Sequence, residues 1–260
     1  MSEDARTAAQ LPPSVLPEPQ KITRADLAEV LKAGIRDFKR APVFGLAFSA
    51  VYVLGGIILY AVFLASGQSW WFIPIAVGFP LLAPFAATGL YEVSRRLEQD
   101  TSLSWAGVAG CVLAQKDRQV PSMAMVIMLA FMFWVFVAHT IFALFFGLRP
   151  ITTSTMDMLL SGPGLMMLLV GGAIGGAMAA LLFALTVVSL PLLLDREVDF
   201  ITAMITSFKV VTTNFGTMVI WAMLIAGLLF LGMVPMFLGL FIVLPVLGHA
   251  TWHLYRKVLP

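Results

Sequence analysis

The stretch GHATWHLYRK, residues 248–257, places His249 and His253 four residues apart beside a long apolar run. On a helix, positions i and i+4 share one face, so both imidazoles could reach one metal ion or one haem. A structural zinc site takes four protein ligands and a catalytic one three. The chain has three histidines and one cysteine, Cys111, so a site here has to recruit carboxylates. Glu92 and Asp195 are the candidates, with Glu197 and Asp199 of DREVD beside them. Against the metal reading stands a simpler one, in which the two imidazoles hydrogen-bond to carboxylates or to the carbonyl that Pro245 frees from its helix. The pair then reads first as a structural anchor.

His139 is the third histidine. At ~1.5 Å per residue it lies roughly 25 Å along its segment, against about 10 Å for His249, so the three cannot converge. No second ionisable group accompanies His139 within its span, which favours a hydrogen bond to a neighbouring helix over a proton relay. No phosphate loop, nucleophile elbow, Ser/His/Asp set or HExxH motif occurs, and the apolar segments hold no paired carboxylates. These absences favour a non-enzymatic reading with no cofactor.

The elements that must position these residues are set by composition. Of 260 residues, 60% are hydrophobic and 12% charged, and the mean hydropathy is +0.95; soluble domains carry about 25% charged residues. A net charge of +2 gives no footprint for nucleic acid. A span needs about 20 apolar residues, and six segments qualify: 43–65, 70–92, 122–147, 163–194, 214–233 and 235–255. The last two are separated by a tight turn near Gly232 and Pro235.

Basic residues sort to one side. Lys32, Arg36, Lys39 and Arg40 precede the first segment. Arg95, Arg96, Lys116 and Arg118 follow the second, Arg196 and Lys209 the fourth, and Arg256 and Lys257 the sixth. Positive residues mark the cytoplasmic side, so both termini are expected there. Trp70 and Trp71 at the outer boundary, with Tyr91, Trp252 and Tyr255 at the inner one, fit aromatic interface anchors.

Three cytoplasmic stretches have amphipathic stripes: Leu27, Val30, Leu31 and Phe38; Leu103, Ala106, Val108 and Val112; and Ile201, Met204, Ile205, Phe208 and Val211. Thr23 and Asp26 resemble a capping box for the first. DREVD reads as acids capping the third. The fold class is therefore all-α: a polytopic membrane protein of six transmembrane helices in three units, each an amphipathic helix plus a hairpin. Residues 1–22, rich in proline, read as a disordered cytoplasmic tail, and 23–260 as the membrane domain. Gly171 with Gly175, and Gly172 with Gly176, form overlapping small-xxx-small pairs for close helix packing.

YEVSRRLE (91–98), SLPLLLDREVDFITAMITSFKVV (189–211) and GHATWHLYRK (248–257) together resemble an uncharacterised bacterial integral-membrane family sometimes labelled as related to cytochrome c oxidase subunit I. The resemblance covers roughly residues 25–258 and implies a bacterial inner membrane. A haem–copper catalytic subunit needs six ligating histidines, so this chain could at most accompany one. The leading functional expectation is an accessory, assembly or packing component, with the lipid bilayer and other membrane subunits as partners. A small carrier or channel for an apolar or neutral solute, using spans kinked at Pro80, Pro84, Pro191 and Pro245, is the alternative. Metal or haem handling at His249 and His253 is a third.

Overall fold

The computed structural model describes residues 16–66, 86–147, 155–235 and 237–260. Among these every regular element is helical. Helix α1 (Arg24–Arg40) starts at Thr23, whose backbone N–H donates to Asp26 Oδ2 at 2.7 Å while the Asp26 N–H donates back to Thr23 Oγ1 at 3.4 Å. That is the capping box the sequence predicts. Pro42 cannot continue the hydrogen-bond ladder of α1, and α2 (Pro42–Ser66) leaves at 100° to it. Helix α3 covers residues 86–98; most of the second expected span, with Trp70, Trp71, Pro80 and Pro84, lies outside the described residues.

Helix α4 (Trp105–Ala114) and a short 3-10 turn lead into α5 (Val120–Phe146). The short α6 (Thr155–Leu160) precedes α7 (Gly162–Thr186) and α8 (Ser189–Asp195), which run on as one 34-residue stretch. Helix α9 (Phe200–Thr213) is capped by Asp199, which accepts from the Thr202 N–H at 2.9 Å, so one acid of DREVD caps as expected. Helix α10 (Phe215–Met233) and α11 (Leu240–Val258) close the chain. Their turn is tight because two glycines meet: a Cβ on Gly239 would lie 2.7 Å from the Gly232 Cα.

Among the described residues, α5, the α7–α8 run and α10 are long and apolar enough to cross a membrane, with α1–α2 a fourth if the bent pair counts as one span. The segment expected as the sixth span becomes α11, which is not in that set. Its C-terminal half carries polar side chains, and Val246, Leu247, His249, Ala250, Thr251, Trp252, Leu254, Tyr255 and Val258 are all buried in protein. The three short helices α1, α4 and α9 do precede long apolar ones.

Helix α11 is the hub, and glycine makes it one. At Gly34 of α1 a Cβ would come within 2.6 Å of the Val246 carbonyl oxygen and 2.7 Å of the Ala250 nitrogen, so the helices cross backbone to backbone. Gly45 of α2 lies against Pro245, and Gly248 against Leu90 of α3. Around these crossings Leu27, Val30, Tyr91, Leu192, Trp221, Trp252, Leu254 and Tyr255 form one apolar core. Residues 16–22 depart from the disordered tail expected of them. Gln20 N–H donates to the Val258 carbonyl at 2.9 Å, and the Asn214 amide brackets the strap, accepting from Ile22 N–H at 2.9 Å and donating to the Gln20 carbonyl at 3.0 Å.

The glycine pairs of α7 divide. A Cβ on Gly175 would press on the Trp134 ring of α5 at 2.6 Å, and Gly171 approaches Ile141, whereas Gly172 and Gly176 have nothing within 4 Å. The packed pair is thus Gly171 and Gly175.

Gly34→Leu should lower stability by about 3 kcal/mol, because the atoms it meets are backbone and cannot rotate away. Gly227→Ala, in α10 with nothing within 4 Å, should be neutral or stabilising by roughly 0.5–1 kcal/mol. Thermal denaturation in detergent measures both. In the same assay Gly175→Leu should weaken the α5–α7 pair while Gly172→Leu leaves the isolated chain unchanged; equal losses would show that both faces are packed.

Candidate functional site

A carboxylate sealed between three helices organises the most polar part of the core. Asp37, in the last turn of α1, is 2% exposed. It shares the inner face of α1 with Leu27, Val30 and Gly34, so the Gly34 crossing carries it into the core against α11. Its Oδ2 accepts from Ser94 Oγ of α3 at 3.0 Å and from His253 Nε2 of α11 at 2.7 Å. Ser94 Oγ also lies 2.8 Å from His249 Nδ1. Asp37, Ser94 and His249 are all buried.

The proton positions follow from valence. Burial alone would raise the Asp37 carboxyl, but the hydrogen bond and charge of His253, with the hydrogen bond from Ser94, outweigh it, and the group sits below the usual carboxylate range. An ionised carboxylate only accepts, and a hydroxyl has one proton. Ser94 therefore donates to Asp37 and accepts from His249 Nδ1–H, which assigns the His249 tautomer. Nε2 of His249 is left buried with no hydrogen-bond partner.

This is not a nucleophile set. In a hydrolytic triad the imidazole stands between serine and carboxylate and takes the serine proton. Here Ser94 gives its proton straight to Asp37 and is wholly enclosed. The cluster clamps α1, α3 and α11 together.

The sequence placed His249 and His253 on one face, and the structure brings His253 directly to one acid and His249 to it through Ser94. That acid is Asp37, not Glu92 or Asp195. Glu92 is fully buried and held by Arg95 Nη2 at 2.7 Å and Arg96 Nε at 2.6 Å; the Arg96 guanidinium rests on Gly107 of α4. Asp195 accepts from Tyr255 Oη at 2.6 Å and faces Arg256 at 3.6 Å. Both carboxylates are already committed, and among the described residues no group of three or more histidine, cysteine or acidic side chains is arranged to hold a metal ion. Tyr91, Trp252 and Tyr255, expected at a lipid boundary, lie inside the protein. Trp252 Nε1 donates to Glu98 Oε2 at 3.0 Å, which supplies the polar partner a headgroup would otherwise give. His139 is exposed on α5 and its Nδ1 lies 2.8 Å from the Val135 carbonyl oxygen of its own helix.

Asp37, Ser94 and Glu98 were not singled out in the sequence. Asp37 left one trace, an acid in register with the apolar stripe of an amphipathic helix; a serine or a glutamate near a helix end leaves none.

Residues 72–195, from before α3 to the end of α8, match a family model described as "Predicted integral membrane protein (DUF2189)". Somewhat less than half of the chain is thus similar to this membrane domain. The description gives it neither an activity nor a link to an oxidase. No curated protein and no solved structure matches the chain.

Replacing Asp37 by Asn should cost about 3 kcal/mol, the scale for breaking a buried charged pair. The depressed carboxyl also sets a sign: its contribution is complete above the unfolded value near ~3.9 and is lost as pH falls through the lower folded value. Unfolding followed from pH 6 to pH 2 should therefore show an acid-limb slope in the wild type that is shallower in Asp37→Asn. Parallel slopes would mean that Asp37 is not ionised in the folded chain.

Proposed function

We propose that this is a multi-pass protein of a bacterial inner membrane, acting as a non-catalytic accessory or assembly component of a larger membrane complex. One contrast supports the reading. The end where α1, α3, α8 and α11 meet is densely packed and internally bonded, whereas only 17% of the crossing window of α5, and the same share of α10, is buried within the chain. Long apolar helices so thinly covered by their own chain suit lipid and neighbouring helices, not an enclosed reaction site.

Orientation belongs to the same proposal. Ion pairs gather the basic residues of separate sequence regions at the packed end: Arg96 with Glu92, Arg118 with Glu197, Arg256 with Glu98, and Lys257 with Asp26 and Glu29. By the positive-inside rule this end and both termini face the cytoplasm. The six-span map in three units is retained with α11 as an inner helix. A helix surrounded by others does not need an apolar surface on every side, which accounts for its weak hydropathy. The oxidase-linked resemblance makes a respiratory complex the first partner to try.

The carrier alternative drew on proline-kinked spans, yet Pro191 and Pro245 are both buried in the packed end. Metal or haem handling would have to take His253 from Asp37.

Extraction in a lipid-preserving polymer, followed by mass spectrometry, should recover other integral membrane subunits in fixed ratio with this chain. A chain that runs alone, and that conducts a neutral solute when reconstituted, would replace this proposal with the carrier. Reporter fusions after residues 99 and 260 should read cytoplasmic, and those after 67, 150 and 233 periplasmic.

A further inference from the structure

Between α1 and the last turns of α11 lies a groove of about 490 Å³, lined chiefly by Glu29, Lys32, Arg36, His253, Arg256 and Lys257. Its charges are unevenly compensated. Lys257 is held by Asp26 at 2.7 Å and by Glu29. Arg256 is held by Glu98 at 3.2 Å and faces Asp195 at 3.6 Å. His253 donates to Asp37 behind the wall. Those three groups are therefore fixed in place before any ligand arrives.

Lys32 and Arg36 differ. Among the described residues Lys32 has no carboxylate within ion-pair distance, and Arg36 reaches only Asp37 Oδ1, at 3.9 Å, with 64% of its side chain exposed. They stand at i and i+4 on α1, where like charges repel. A concave site thus carries one unpaired and one weakly paired positive charge that disfavour each other, beside an imidazole and two cations already oriented. An anion with several acceptor oxygens removes that repulsion and can take a two-pronged bond from the Arg36 guanidinium.

We infer that the groove between α1 and α11 is a binding site for a phosphate-bearing anion, with Lys32 and Arg36 as its principal contacts. Two sources supply that chemistry: the headgroup of an anionic phospholipid and a soluble phosphate. The turn of α1 into the apolar α2 lies one residue after Arg40. The groove therefore stands near the base of that helix, within reach of either source.

The test uses the full chain in a neutral detergent, titrated separately with inorganic phosphate, phosphatidylglycerol and phosphatidylcholine, with thermal shift and native mass spectrometry as readouts. Phosphate or phosphatidylglycerol should stabilise the chain, and phosphatidylcholine should not. Response to the lipid alone assigns a headgroup; response to both assigns the phosphate itself. Lys32→Gln with Arg36→Gln should raise the apparent Kd at least tenfold. Lys39→Gln with Arg40→Gln, the same charge change outside the groove, should raise it less than threefold. Without any substitution, the ligand should protect Lys32 and not Lys39 from acetylation. No response to either anion, or equal losses in the two double variants, overturns the site.

Discussion

An ionised carboxylate cannot remain buried unless donors surround it, and Asp37 is that carboxylate. Its donors come from two other helices, Ser94 on α3 and His253 on α11. The constraint sets the register of both against α1. A shift of α11 by one residue would swing His253 by about 100° around its helix and leave the charge uncovered. The glycine crossings follow from the same demand. Bonds of 2.7–3.0 Å at the end of short side chains need backbones in contact, and Gly34, Gly45 and Gly248 remove the side chains that would hold them apart.

From that junction the rest of the packed end is assembled by pairs that each join two elements. Tyr255 ties α11 to α8 through Asp195, Trp252 and Arg256 tie it to α3 through Glu98, and Asn214 ties the N-terminal strap to the start of α10. Some of these groups are exposed, and exposed ion pairs contribute little each. Their value lies in number and in the directions they fix. Among the described residues α5 and α10 show no comparable network. Helix α5 meets α7 at Trp134 and Ile141, and most of the apolar length of α5 and α10 is uncovered by the chain, the division expected when lipid or other helices are to cover the remainder.

Much of this was legible because local rules govern it. The capping box at Thr23, the turn at Gly232, the cap at Asp199 and the shared face of His249 and His253 each depend on a few neighbouring residues. What was missed depends on which partner a face meets. The small-xxx-small pattern in α7 allows two faces, and only the Trp134 ring of α5 selects Gly175 over Gly176. Trp252 and Tyr255 have the composition of interface anchors, yet Glu98 and Asp195 give them polar partners inside the protein. The acid that receives His253 lies more than two hundred residues away; periodicity puts it on the inner face of α1 but does not say which helix that face meets. Segment 235–255 reads as a span for a related reason, since apolar content does not show that the C-terminal half of α11 is covered by other helices.

The central claim is that α11 is a core helix clamped by Asp37, while α5 and α10 face outward. Photolabelling with a lipid-soluble carbene, mapped by mass spectrometry on the chain in its membrane, tests it most directly. The account predicts dense labelling at Phe133 and Phe136 of α5 and at Met223 and Phe230 of α10, all exposed, and none from His249 to Val258. Labelling of Trp252, Leu254 or Tyr255 at the level of α5 would contradict it, because those side chains would then face lipid instead of the Asp37 junction.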